Sequence, residues 1–298
     1  MTQTATHLPL HANHSHSQIV RRVPRYARVL ELGCADGSMS RLLKQHCEAS
    51  IIGVEQNPNT AWRARCFCDY VFTENLDDPH SLDALEGEKF DVITLVDVLE
   101  HLQHPQALLQ RLKPLLLDEG CLLLSVPNVA HASVRLELLK GDFRYESSGI
   151  LDDTHLKFFT ATTLQTILVE AGYAVQALDY TWHDLADTVI SEQLQTLGIH
   201  VTPEALAAFH TPDAMAYQFI AAAQPLPEVA ATAPVVPLKP LTASQDTWAG
   251  LQQELAQARQ QLLDAQAELG RVYATRSWQV LRRGADAWRG IQSRFTHP

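Results

Sequence analysis

The chain has 298 residues, is 46% hydrophobic and carries a formal net charge of −11. That composition provides for one large domain with appendages and argues against an overall nucleic-acid binder. It holds no run of about 18 apolar residues to span a membrane, and no basic start leading into an apolar core marks a secretory leader.

Five cysteines (Cys34, Cys47, Cys66, Cys68, Cys121) lack paired CxxC spacing, which predicts reduced thiols and a cytoplasmic location. Residues 1–15 read as a flexible polar arm. The histidines in and beside it (His7, His11, His14, His16) match no defined metal spacing.

Residues 16–224 read as one domain in which apolar runs alternate with helical stretches. RVLEL is a strand and SMSRLLKQHC a helix; SIIGVEQ is a second strand, followed by a helix opening at NPNTAWRAR. YVFTE is a third strand. FDVITLVDVLEHL starts as a fourth and turns helical through HPQALLQRLKPLL, and GCLLLSVPN is a fifth. Short apolar strands separated by helices predict parallel crossovers and a sheet covered on both faces. TATTLQTILVEAGY is another helix, with Thr162 and Gln165 placed as a capping box and Gly172 as its stop. AVQALDYTW and AMAYQFIAAAQ are two final strands, placed as an antiparallel pair.

The loop ELGCADG spaces Gly33 and Gly37 as GxxxG. A dinucleotide fold wants GxGxxG, with backbone amides turned onto a pyrophosphate. Here the middle glycine is missing and Glu31 precedes the loop, where a carboxylate repels phosphate and attracts an ammonium group. Glu55 ends the second strand, placed to accept two ribose hydroxyls. The expected ligand has a ribose and a cationic amino-acid end, without a diphosphate.

In this order, VLELGCADGS, GVEQ and FDVITLVDVLEHLQHP resemble class I S-adenosylmethionine-dependent methyltransferases. The resemblance implies an α/β, Rossmann-like seven-stranded sheet with helices on both faces and its last strand antiparallel. It implies S-adenosylmethionine as cofactor, with Glu31, Gly33, Cys34 and Gly37 at the methionine portion. It also implies Glu55 at the ribose, Gln56 flanking the adenine, Asn75 at the adenine amino group and Asp97 near the sulfonium. Asp97 reads equally as a helix N-cap for VLEHL.

The segment PNVAHASVRLELLKGDFRYESSGILDDTHLKFFT, after the fifth strand, is long enough for a lid and acceptor contacts. Its stretch from Asp153 to Phe159 resembles a subgroup of these methyltransferases encoded with bacterial surface-polysaccharide genes. A hydroxyl nucleophile benefits from a general base titrating near neutrality. His155 is the first choice for it, its ring oriented by Asp152 or Asp153. His131 is second, against a purely structural role closing the turn, and His101 is expected to pack beneath the cofactor. Asp152, Asp153 and His155 fit a metal in spacing but lack a fourth ligand, so no metal is expected. The leading expectation is an O-methyltransferase acting on a sugar hydroxyl in surface-glycan biosynthesis. The alternatives are a small phenol of quinone type as acceptor, or a methyltransferase-like scaffold.

Residues 225–247 are a proline-rich linker. Over 248–275, Trp248, Leu251, Leu255, Ala258, Leu262, Ala265, Leu269 and Val272 form a heptad seam that predicts a coiled coil and a homo-oligomer. Residues 276–298 form a basic amphipathic tail with five arginines against one acid. Such a tail suits glycan-assembly protein partners, the ending YATRSWQVLRR resembling theirs, or peripheral contact with the inner face of an anionic membrane. Deleting residues 248–298 is expected to lower the oligomer order with ligand binding retained; an unchanged mass by light scattering refutes the coiled coil.

Overall fold

The computed structural model describes residues 9–226 and 236–238. The chain divides into two units, Met1–Pro240 and Leu241–Pro298, and the described residues all fall in the first. The expected coiled coil (248–275), the basic tail (276–298) and most of the linker therefore lie outside the described residues. Among the described residues no helix is long and apolar enough to cross a membrane.

Seven strands form one sheet in the order β3-β2-β1-β4-β5-β7-β6. They are β1 (Arg28–Leu32), β2 (Ser50–Val54), β3 (Tyr70–Phe72), β4 (Phe90–Val96), β5 (Leu116–Pro127), β6 (Tyr173–Trp182) and β7 (Ala216–Pro225). The first five pair in parallel, whereas β7 runs antiparallel to both β5 and β6. The antiparallel pairing expected of the last two strands is therefore present. Parallel strands covered on both faces need apolar residues at successive positions; Val29 to Leu32 of β1 are all buried, including Glu31.

One face is covered by α1 (Ser15–Val20), α2 (Ser38–Cys47) and α3 (Pro58–Ala64), which bury Ile19, Met39, Leu43 and Ala61 against Val29, Ile51 and Val92. On the other lie α4 (Pro105–Leu112) and α6 (Ala161–Glu170); the Tyr173 hydroxyl of β6 donates to the Leu109 carbonyl of α4 at 2.9 Å. Asn57 caps α3, accepting from the Asn59 and Thr60 amides, with Pro58 at the first helical position.

Four local details differ from expectation. The capping box of α6 is Thr160 with Thr163, two residues earlier than Thr162 with Gln165. Gln165 is instead buried, its side-chain oxygen accepting from the Val236 amide at 2.7 Å. Beyond β4 the chain makes only a 3-10 turn, Leu99–His101, before α4 begins at Pro105. Residues 9–15 of the polar arm are docked: Asn13 exchanges two hydrogen bonds with the Trp182 backbone, and Ser15 is buried.

Sequence reading also left α5 (Ala132–Leu139), α7 (Asp187–Thr196), α8 (Pro203–Ala207) and α9 (Pro212–Met215) unassigned. Leu136 of α5 joins Ile190 and Leu194 of α7 in a small satellite core. Asn128 ties this region to the sheet. Its amide donates to the Asp213 and Ala216 carbonyls at 2.7 Å each, and its oxygen accepts from the Ala130 amide at 2.9 Å.

Asn128 is fully buried, so truncating it takes the side-chain partner from three backbone groups, of which the Ala216 carbonyl is buried. Asn128→Ala is expected to lower unfolding free energy by about 3 kcal/mol, read from urea denaturation; a loss under about 1 kcal/mol would mean that the clamp contributes little.

Candidate active site

Parallel strands end on a common edge, so the loops following β1, β2 and β4 meet at one place. The sheet order reverses between β1 and β4, which opens a crevice there. A cavity of about 440 Å³ occupies this position, with Gly33, Ala35, Glu55, Asn75, Asp97 and His101 among its walls.

The first loop is tied down by its backbone. Gly33 and Cys34 amides both donate to the Val54 carbonyl, at 2.8 and 3.1 Å. Gly33 has φ +69°, and a Cβ there would stand 2.6 Å from Val98 Cγ2. A side chain would both strain the turn and fill the cavity floor. Gly37, also left-handed, would collide with Ala64 of α3. Both glycines singled out from sequence thus have a steric reason.

Two non-glycine residues in the cavity wall also carry positive φ, Ala35 at 46° and Asp97 at 54°. Such strain persists where neighbours over-determine the backbone, and it clusters at functional sites. The restraint on Asp97 is visible. Its carboxylate accepts from Ser125 Oγ of β5 at 2.7 Å and from Gln218 Nε2 of β7 at 3.0 Å to both oxygens. It caps no helix, so the N-cap reading is corrected. Ser125 and Gln218 escaped sequence reading; the signal was a polar residue flanked by apolar ones in each strand, Ser125 in LLLSVP and Gln218 in AYQFIA.

Glu55 accepts from the Ala35 amide at 3.1 Å and the Asn57 amide at 2.8 Å, one on each oxygen. The remaining lone pairs are left for a diol. Gln56 lines the same wall, and Asn75 does too, with its side-chain oxygen accepting from the Asp77 amide. With Glu55, Glu74, Asp77 and Asp97 the wall is acidic, which favours a cationic ligand over a polyphosphate.

Glu31 and Cys34 stand elsewhere. Glu31 is 3% exposed beneath the loop, accepting from Ser40 Oγ at 2.6 Å. Burial raises its pKa from 4.5 to about 8, against the Ser40 hydrogen bond. It therefore supports the loop from below through Ser40, and its expected place at a ligand ammonium belongs to the sequence reading. Cys34 is buried as well; its hydrogen bond with Cys68 and desolvation push the thiol well up. Gly53 leaves room for its sulfur, which a Cβ would meet at 2.7 Å.

The three histidines separate clearly. His131 is fully buried at the N-terminus of α5: Nδ1 accepts from the Ser133 amide and Nε2 donates to the His183 carbonyl at 2.8 Å. Both nitrogens are committed and burial pushes its pKa down, an arrangement that suits the structural alternative better than a base.

His155 is 8% exposed, with Nδ1 donating to the Ile150 carbonyl at 3.0 Å. That carbonyl, not an aspartate, orients the ring. Asp152 turns to the Thr154 amide and hydroxyl, while Asp153 is exposed; both are corrected as orienting groups. His101 does not pack beneath the cavity but lines it in an exposed position, its ring centroid 4.8 Å from that of His155.

Glu100, between them and 1% exposed, is the group sequence reading missed. Burial and the nearby Asp97 carboxylate raise its pKa from 4.5 to about 9. Nothing in VLEHL distinguishes an inward glutamate from a solvated one.

Residues 8–178 match the family described as "Methyltransferase domain", and the chain belongs to that family. The methyl donor of this class is S-adenosylmethionine, with which the acidic, glycine-floored cavity is compatible. Among the similar proteins is a ubiquinone biosynthesis O-methyltransferase of Actinobacillus pleuropneumoniae serotype 5b (strain L20). It is 28% identical over 123 residues, covering 39% of this chain and 52% of the relative. Another of the same name, from Psychrobacter arcticus (strain DSM 17307 / VKM B-2377 / 273-4), is 25% identical over 159 residues, covering 50% and 60%. The chain thus spans about half the length of these relatives. A SAM-dependent methyltransferase structure from Archaeoglobus fulgidus superposes with TM-score 0.50 at 17% identity, over 70% of this chain and 91% of that one, a likeness of fold.

Glu31 binds its proton more tightly folded than unfolded, so its contribution to stability is present below about pH 4.5 and is lost as pH rises toward about 8. Urea midpoints are expected to fall across that window and to fall less steeply in Glu31→Gln, the residual slope belonging to Glu100. Parallel slopes in the two proteins would contradict the burial of a protonated Glu31.

Proposed function

We propose that the protein transfers a methyl group from S-adenosylmethionine to the hydroxyl oxygen of an acceptor bound beside His101 and His155. The observation that carries this reading is the cavity at the strand ends, where Glu55, Gln56, Asn75 and Asp97 stand within reach of one ligand. Glu55 would take the ribose hydroxyls, Gln56 and Asn75 the adenine side, and Gly33 and Asp97 the methionine side. When bound, the cofactor supplies an electrophilic methyl carbon on a sulfonium.

The chain's own part is chiefly positioning, which can account for much of the rate of an in-line displacement. Asp97, restrained by Ser125 and Gln218, presents negative charge to a cationic centre without needing to reorganise. The acceptor hydroxyl must lose its proton. Nε2 of His155, whose Nδ1 is occupied by the Ile150 carbonyl, is a free lone pair beside the cavity mouth.

The acceptor is assigned as an oxygen on a flat ring. From His155 a string of rings leads outward: Phe158 at 6.3 Å, then Phe143 at 5.6 Å from Phe158, then the exposed Tyr145 at 5.7 Å from Phe143. Such a platform suits the face of a phenol, and the names of the curated relatives support that class. A sugar hydroxyl, the leading expectation from sequence, remains a second reading: a pyranose face also lies on aromatic rings, and the Asp153–Phe159 stretch resembles the glycan-associated subgroup. A scaffold acting through residues 248–298 is disfavoured by the restrained cavity.

Calorimetry with S-adenosylmethionine and S-adenosylhomocysteine, with NAD as control, tests the donor: saturation by both sulfur ligands is expected, and no heat with either sinks the reading. In methyl-transfer assays against catechols and nucleotide sugars, His155→Ala is expected to lower turnover by about 100-fold or more with S-adenosylhomocysteine affinity unchanged. Full turnover in that variant would remove His155 from the proton-handling role.

A further inference from the structure

Both carboxylate oxygens of Glu100 are buried and find no hydrogen-bond partner among the described residues. A carboxyl group in that state is expensive whether ionised or protonated, and native structures seldom leave one without a reason. The surroundings supply one. The Glu100 carbonyl accepts from the Leu156 and Lys157 amides at 2.7 and 2.9 Å, which fastens the 155–157 segment over the 3-10 turn. This brings His155 beside Glu100 and His101. One ligand atom from each of Glu100, His101 and His155 lies within 4.8 Å of the others.

The two rings are already turned for coordination. His155 Nδ1 donates to the Ile150 carbonyl. The Thr154 hydroxyl donates to Asp152 at 2.6 Å and so receives the His101 Nδ1 proton at 3.1 Å. Each imidazole thus has its Nδ1–H held by an oxygen and its Nε2 lone pair bare, the outer-shell arrangement that fixes metal-ligating histidines. Ligand atoms about 2.1 Å from a shared ion stand roughly 3–4 Å apart, so small side-chain rotations bring the three together.

We propose that Glu100, His101 and His155 form a binding site for a divalent transition-metal cation at the mouth of the cofactor cavity. Two imidazoles and one carboxylate favour ions such as Zn²⁺, Mn²⁺, Fe²⁺ or Co²⁺ over Mg²⁺ and Ca²⁺, and three protein ligands leave positions open. Resting on the O-methyl-transfer reading above, the site deepens it. An acceptor hydroxyl on the ion loses its proton to water more readily, and open positions select acceptors with two neighbouring oxygens. His155 then serves that proton loss as a ligand rather than as a free base. This reverses the expectation of no metal, and the ligand set differs from the Asp152/Asp153/His155 spacing seen in sequence.

The test uses full-length protein dialysed against chelator and titrated with CoCl2, read by calorimetry and by visible d–d absorption, with S-adenosylhomocysteine titrated in parallel. One equivalent of Co²⁺ is expected to bind, weakened at least tenfold in Glu100→Gln and in His101→Ala, with S-adenosylhomocysteine still bound by both variants as the check that the cavity is folded. A triple variant (His11→Ala, His14→Ala, His16→Ala) is expected to keep that equivalent, separating it from the N-terminal histidines. Because His101 is exposed, its variant decides the matter if Glu100→Gln fails to fold. No Co²⁺ binding by protein that binds S-adenosylhomocysteine, or Co²⁺ binding indifferent to both variants, overturns the site and leaves the transfer reading standing. Co²⁺ binding without S-adenosylhomocysteine binding supports the site and overturns the transfer reading instead.

Discussion

The parallel pairing of β1 with β4 at the centre of the sheet is the constraint on which the rest depends. Register from Val29↔Val92 to Leu32↔Leu95 makes the two strands end together. The sheet order reverses at this pair, so the chain leaves the two strands in different directions and a crevice opens between the departing loops. Gly33, Glu55 and Asp97 are far apart in sequence, yet each follows a strand that ends on the same edge. The backbone of the first loop is then held by the Val54 carbonyl, which couples the glycine turn to the end of β2.

Two buried glutamates show how the same desolvation can serve different ends. Glu31 is held in the neutral range by burial, yet it has a partner in Ser40, so its cost is moderated and its task is support. Glu100 sits as deep and has no partner among the described residues. The difference lies in what each one faces: the underside of a loop in one case, and two imidazole rings beside an acidic cavity in the other.

The segment between β5 and α6 sorts its histidines by the oxygen each ring nitrogen meets. His131 has both nitrogens committed and acts as a cap; His155 has one committed and one bare. Asn128 anchors the start of the segment to the opening of β7, and Phe159 returns it to the sheet by pairing beside Asn128. The cavity mouth is therefore held from both ends of a long excursion, which gives its aromatic platform a fixed base.

Much of the fold was legible in the sequence because its signals are local. Residues 28–32 and 38–47 lie where the apolar runs and helical period placed them. The glycine spacing, the acid at the end of β2 and the antiparallel final strands were equally readable, since turn sterics and strand periodicity depend on neighbours in the chain. Short helices between β6 and β7 were not, because five- or four-residue turns of helix owe their stability to packing rather than to their own pattern. The roles within the site were not legible either. Whether Glu31 faces a ligand or a serine, whether Asp97 caps a helix or is gripped by Ser125 and Gln218, and which histidine keeps a bare nitrogen all turn on contacts between distant segments. Sequence alone determined the strand-loop-helix frame and the residue types available at its edge. Tertiary structure decided which carboxylates are desolvated and which imidazoles are already spent, because burial and hydrogen-bond partners are properties of the packed sheet and not of any one segment.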